Sequence, residues 1–189
     1  MRGIIRNGFV ALTLLLITAC GNDDSIEQAT AQSVEQFEAA GVEGMENDAL
    51  FAAEAASGSM LEVQLGEVAL ERAVSPEVKE LAEELVQANQ QLLGELREVA
   101  DESQFVLPST MGERHNEIYQ EITAKTGLAF DLAYVNRLVR EHQDLVERYE
   151  DIAKNGKVLA LQQYASKQLP LLRQHQQLVE ELEDTIDNP

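Results

Sequence analysis

Two imidazoles stand where leucines would be expected. Around residues 127–149, Tyr134, Leu138, Leu145, Tyr149 and Ile152 repeat at the spacing of one helix face, and His142 fills the gap in that stripe. His175 falls in the same way into the stripe Leu161, Leu172, Val179, Leu182 and Ile186. A third stripe, of small residues, runs Gly58, Gly66, Ala69, Ala73 and contains Glu62; a fourth, Val78, Leu81, Leu85, Leu92, Leu96, is interrupted by Asn89. Glutamate and histidine on facing helices are the ligands of carboxylate-bridged di-metal bundles, where oxygen and nitrogen donors suit iron, manganese or zinc. The Glu-x-x-His pairs of that class are absent. Glu141 directly precedes His142, and successive helical residues point about 100° apart, so one ion would not readily take both. A second reading of the same residues is a packed core: His142 and His175 hydrogen-bonded to Glu62 or Tyr134, Asn89 setting helix register, and Glu62 at a solvent-facing boundary.

The elements that must carry these residues are helices. The pattern predicts a first long helix over 47–73. A second begins at Ser75-Pro76-Glu77, which supplies a capping hydroxyl, a first-turn proline and an early acid. The run around Leu107-Pro108 breaks the pattern, and Ser109 or Thr110 then caps a short helix to about residue 125 that carries His115 among polar neighbours, as a surface histidine. A central helix over 128–154 ends at Asn155-Gly156, and a last long helix contains Pro170, which should kink it. Four long helices with one longer link describe a four-helix bundle with an extra short helix between helices 2 and 3, in which Glu62, Asn89, His142 and His175 could meet at mid-height.

Composition narrows the function. The 189 residues include 34 acidic and 14 basic side chains, a formal charge of −20, with no Trp and one Cys. Such a charge repels phosphate backbones and anionic head groups, so nucleic-acid binding is disfavoured; metal cations and protein partners stay open. The lone Cys20 excludes an internal disulfide framework and paired-cysteine metal motifs. No phosphate loop, serine elbow or His-Glu-x-x-His run occurs, so no catalytic residue is assigned and an enzyme is the less favoured class.

Residues 1–19 have the layout of a secretory signal: Arg2 and Arg6, an apolar core from Phe9 to Ile17, then small residues. The ending Ile17-Thr18-Ala19-Cys20 resembles the bacterial lipobox, which implies cleavage before Cys20, lipidation of its sulfur and an anchor in the cell envelope facing the periplasm. Gly21 in place of aspartate favours the outer membrane. Beyond the signal, 12 basic face 34 acidic residues, about −22. Residues 20–46, acidic, broken by Gly41 and Gly44 and poor in large apolar side chains, are expected to form a flexible tether, in which the Gln, Glu and Ala content permits a short helix around 29–40 with nothing to argue that it packs, and 47–187 the bundle.

Several runs together resemble a known family. Met60-Leu61-Glu62-Val63-Gln64-Leu65-Gly66, then Phe130-Asp131-Leu132-Ala133-Tyr134 with Glu141-His142, then Leu169-Pro170 with His175, are similar to the bacterial domain-of-unknown-function family numbered 4142, an exported ferritin-like helical bundle. The resemblance covers about residues 48–182. It implies an all-α, ferritin-like four-helix bundle, makes Glu62, His142 and His175 signature positions and Pro170 a regular kink, and assigns no activity. Where that family usually has Asp-His in the second helix, this chain has Ala88-Asn89. The expected protein is a lipid-anchored envelope bundle that binds or supports. The alternative is a ferritin-like metalloprotein with Glu62, His142 and His175 as ligands and Asn89, Tyr134 and Glu141 beside them. A third reading is an adaptor using the glutamine-rich faces at 87–91 and 174–177.

Overall fold

A computed structural model describes residues 24–187, so the signal segment 1–19 and Cys20 lie outside the described residues. Six helices follow one another: α1 (Ser25–Ala39), α2 (Glu46–Arg72), α3 (Pro76–Ser103), α4 (Glu113–Thr123), α5 (Leu128–Asn155) and α6 (Leu159–Asp187). No strand occurs among the described residues, and none of their helices is long and apolar enough to cross a membrane. The ends form where local chemistry asks for them. Ser75 accepts from the Val78 N–H ahead of Pro76, and Gln104 ends α3 in the left-handed region at φ 64°. Gly127, at φ 60°, turns the chain into α5. Helix α6 runs through Pro170, which has no N–H to offer the carbonyl one turn back.

The four long helices pack as two hairpins, α2 with α3 and α5 with α6, joined through α3 against α6 and α2 against α5. Each hairpin turn is held by a buried aspartate from the other hairpin. Asp131 on α5 accepts from the N–H groups of Val74 and Ser75, at 3.1 and 2.8 Å, and Asp48 on α2 accepts from those of Lys157 and Val158, at 2.7 and 2.9 Å. Apolar side chains fill two core regions. One holds Phe51, Leu96, Tyr149 and Leu161; the other holds Leu65, Leu85, Phe130, Tyr134 and Val179. On α3, α5 and α6 the polar residue singled out from the sequence, Asn89, His142 or His175, falls between the stretches that feed the two regions, and on α2 Glu62 directly follows Leu61, the first residue of that helix in the second region. These residues therefore mark a waist.

The acidic tether expected over 20–46 is corrected by the structure. Its residues 25–39 are helix α1, packed on α2. The contact is made by small side chains: Ala29 and Ser33, one turn apart, are buried, and Ser33 Oγ accepts from the Val106 N–H at 2.8 Å. Phe37 meets Phe105 edge to face, and Asp24 accepts from the N–H groups of Ile26 and Glu113. Small side chains supply the fully buried positions of this face, and the larger Val34 and Phe37 pack only partly buried against the core, too few to draw a helical stripe in the sequence. The short helix also begins later than Ser109 or Thr110 suggested, with Gly112 at its N-cap.

Candidate functional site

The small stripe of α2 lets α3 come close. A Cβ on Gly66 would lie 2.5 Å from Val86 Cγ2 and 3.6 Å from the Tyr134 hydroxyl, so only glycine fits beneath α3 there. That approach buries Glu62, which is 4% exposed, correcting the solvent-facing boundary position expected for it. A buried carboxylate needs a donor. Asn89, equally buried, supplies one: its Nδ2 donates to Glu62 Oε2 at 2.6 Å and to the Leu85 carbonyl at 3.1 Å. The α2–α3 hairpin thus closes its own polar pair.

The facing pair is different. His142 is fully buried and its Nδ1 donates to the Leu138 carbonyl one turn back, at 3.0 Å. Since a carbonyl only accepts, Nδ1 carries the proton and Nε2 carries the lone pair when the ring is neutral. Nε2 is buried without a hydrogen-bond partner. The His175 ring lies 5.9 Å away, centroid to centroid, at 71°, and neither of its nitrogens has a partner. Burial, and after it His142, lower the pKa of His175 to about 4. The Tyr134 hydroxyl is a fourth buried polar atom without a partner, and burial, with Glu62 adding to it, pushes its pKa far up, so it stays a neutral phenol.

The waist therefore brings the mid-helix residues together as Glu62–Asn89 and His142–His175, with Tyr134 near the first. Between the pairs, His142 Nδ1 stands 3.8 Å from Glu62 Oε1, but that nitrogen already serves Leu138. Neither imidazole is hydrogen-bonded to Glu62 or Tyr134, so the hydrogen-bonded core expected under the packing reading is not formed. Among the described residues no three His, Cys, Asp or Glu side chains are arranged to hold a metal ion. A carboxylate-rich iron or manganese site does not fit this packing, because the waist holds a single buried carboxylate, Glu62, whose Oε2 takes the Asn89 amide and whose Oε1 faces the protonated Nδ1 of His142. Free imidazole nitrogen is what the waist offers. Glu141 points elsewhere and pairs with Arg137.

A second polar place lies between α2, α4 and α5. His115, expected at the surface, is half-buried there: its Nδ1 is 2.6 Å from Ser57 Oγ, which itself accepts from the Gly112 N–H at 2.8 Å. Burial first, then Arg137 and Arg114, lower the His115 pKa to about 4. A cavity of about 250 Å³ opens beside it, lined by Glu54, Arg114, Glu141, Arg148 and the Phe51 and Tyr149 rings. Ser57 is completely buried and no carboxylate is hydrogen-bonded to His115, so a nucleophile–base–acid relay is not assembled. Ser57 and His115 lie 58 residues apart, and no spacing in the sequence ties them.

The comparisons with known proteins follow this geometry closely in extent. No curated protein and no solved structure matches the chain. The family profile described as "Domain of unknown function (DUF4142)" matches residues 30–182, from within α1 to near the end of α6. The match takes in both hairpins, the waist and the greater part of α1, and the chain belongs to the DUF4142 family.

Proposed function

We propose that this chain is a lipid-anchored protein of the cell envelope, a ferritin-like four-helix bundle facing the periplasm that works as a binding module, with the waist as its binding place. One observation carries the binding half: three imidazole nitrogens and a phenol hydroxyl are buried together without partners. Leaving a buried polar group unpaired costs about 1–3 kcal/mol, and a core selected for packing alone would use leucine at these positions. A small polar or cationic guest would satisfy the same atoms.

The anchor rests on the sequence, with Arg2, Arg6 and the apolar run leading to Cys20. Helix α1 begins four residues beyond Cys20's neighbour Gly21, at Ser25. An extended chain covers at most about 3.6 Å per residue, so an anchored Cys20 would hold α1 within roughly 20 Å of the lipid. The bundle would stand at the membrane surface rather than on a long leash. Its strong negative charge would keep its sides away from anionic head groups.

A ferritin-like metalloprotein using Glu62, His142 and His175 is the second reading. The free imidazole nitrogens favour it, and the hold of Asn89 on Glu62 weighs against the carboxylate. Elemental analysis and native mass spectrometry of the chain, purified from envelopes without chelator or affinity tag, test the binding reading. A near-stoichiometric guest, lost in a folded His142→Ala, His175→Ala double variant, is the expected result; wild-type protein with no guest before or after loading defeats it. Cys20→Ser should abolish acyl labelling and membrane retention, and continued labelling would defeat the anchor.

A further inference from the structure

The buried imidazole pair has a neighbour that reaches solvent. Glu84 on α3 is 45% exposed, and its Oε1 lies 3.9 Å from Nε2 of His175, whose side chain is 1% exposed. Glu84 also lines a groove of about 290 Å³ between α3 and α6, together with Glu77, Glu80 and Glu181, and no lysine or arginine lines it. Four carboxylates without a counter-charge concentrate cations by field alone. Behind the innermost of them stand His175, with two unpartnered nitrogens, and His142, with an unpartnered Nε2.

The geometry of the pair selects among cations. The free donors of the pair are nitrogens: Glu62 has Oε2 on Asn89, and its Oε1 stands 3.8 Å from the protonated Nδ1 of His142 and not beside Nε2. A divalent ion buried on two neutral imidazoles would keep its full charge in a low-dielectric core, which is far costlier than burying a single charge. Distance points the same way. With metal–nitrogen bonds of about 2.0–2.1 Å, two imidazoles on a tetrahedral ion bring their ring centroids to roughly 5 Å, whereas rings opposed across a two-coordinate ion stand roughly 6 Å apart. The observed separation is 5.9 Å. Imidazole is a good ligand for copper, and monovalent copper and silver accept two-coordinate, near-linear geometry.

Taking the waist as a binding place, we propose that the acidic groove between α3 and α6 admits a monovalent copper-class cation, which His142 and His175 hold between them as a two-nitrogen site. His142 contributes Nε2, because its Nδ1 is anchored to its own helix. Glu84 hands the ion from the groove to His175. Glu62 and Asn89 stay outside the coordination sphere and keep α2 and α3 in place.

The test uses the full chain carrying Cys20→Ser, so that no thiol competes for the ion. Under anaerobic conditions Cu(I) is supplied as its bicinchoninate complex, and Ag(I) as the nitrate in a parallel titration. One ion per chain is expected. Imidazole nitrogen resonances of His142 and His175 should move on Ag(I) addition, and the affinity should fall at least 100-fold in His142→Ala and in His175→Ala. The nitrogen resonances are read on unsubstituted histidines, so they decide the matter even where an alanine variant loses its helical circular dichroism. A Glu80→Gln, Glu84→Gln double variant should take up the ion severalfold more slowly by stopped flow; an unchanged rate overturns the groove as the route. Binding of Cu(I) without movement of either imidazole overturns the site. Preferential one-to-one binding of Zn(II), Mn(II) or Fe(II) overturns the ion class while the binding reading stands. Failure of Cu(I) and Ag(I) to bind overturns the inference, and the guest analysis of the purified chain then decides separately whether the waist binds anything.

Discussion

The two hairpins of this protein share a scaffold and differ at its centre. Each is a pair of long helices joined by a tight turn, and each turn is held by a buried aspartate reaching over from the other hairpin, Asp131 for α2–α3 and Asp48 for α5–α6. At mid-height the resemblance stops. The first hairpin holds Glu62 and Asn89, which satisfy one another at 2.6 Å; the second holds His142 and His175, which leave three nitrogens bare. Duplicate clamping shows that the fold treats the hairpins alike. The unequal centres show that stability accounts for one polar pair and not the other, so a functional argument is owed only to the imidazoles.

The largest test of that comparison is on the shared part. Asp131→Ala strips two backbone N–H groups of a charged acceptor, and Asp48→Ala does the same at the other turn. Charge-assisted bonds of this kind are worth about 1.5–3 kcal/mol each, so either variant, losing two, should lose about 3–6 kcal/mol in urea unfolding. Equal losses would support equivalent clamps. A loss at one turn only would mean that the hairpins differ in scaffold as well as in centre.

How far the sequence carries one towards this arrangement depends on what kind of contact is involved. The long helices are legible because Leu85, Leu92 and Leu96, or Tyr134, Leu138 and Tyr149, repeat along a single face. Polar residues inside those stripes, His142 and His175 above all, are legible as interruptions of the same pattern. Helix α1 is not legible as a packed element, since its buried residues are Ala29 and Ser33, and the larger side chains it sets against the core, Val34 and Phe37, are too few to draw a stripe. Pairings are not legible either. That Asn89 meets Glu62, Ser57 meets His115 and Asp131 reaches Ser75 follows from helix placement in three dimensions, and an exposed-looking glutamate such as Glu84 carries no mark of the imidazole behind it. Glu62 stands between the two cases: Gly58, Gly66 and Ala69 around it are legible as a face open to close helix approach, but the burial of its carboxylate against Asn89 is not.

The next test separates the centres. Asn89→Leu leaves the buried Glu62 carboxylate without its amide donor, and should cost about 3 kcal/mol by urea unfolding. Adding Glu62→Leu should return part of that loss, because the unpaired acceptor is removed with its charge. If Asn89→Leu costs under about 1 kcal/mol, the first hairpin's pair is not the satisfied unit that its geometry describes.

His115 sharpens the contrast from outside the hairpins, as a histidine that does have a side-chain partner. Its pKa is lowered to about 4 by burial, then by Arg137 and Arg114. The unfolded chain therefore takes up this proton near the ordinary value of about 6.5, and the folded chain does not until about pH 4. The contribution to stability is whole above about pH 6.5 and is lost as the pH falls towards 4. Partial exposure of the ring discounts the effect to about 2 kcal/mol. Unfolding measured at pH 7 and at pH 4.5 should show a gap between wild type and His115→Phe that narrows by about that amount at the lower pH, and a constant gap would mean that the ring titrates normally in the fold.

The smallest expected change is the most informative. In chelator-treated protein, His175→Leu removes an imidazole whose two nitrogens are buried without partners and replaces it with a side chain that asks for none. The unfolded chain hydrates those nitrogens and the folded chain does not, so the substitution should leave stability unchanged or raise it by up to about 1 kcal/mol. Asn89→Leu, a similar change at the facing position, is expected to move in the opposite direction. A loss of 2 kcal/mol or more in His175→Leu would place a bound partner on the ring even without metal, and would make the two polar centres alike after all. Opposite signs at Asn89 and His175 would instead mean that the second hairpin keeps its imidazoles against its own stability, which selection tolerates where the group meets something beyond the chain.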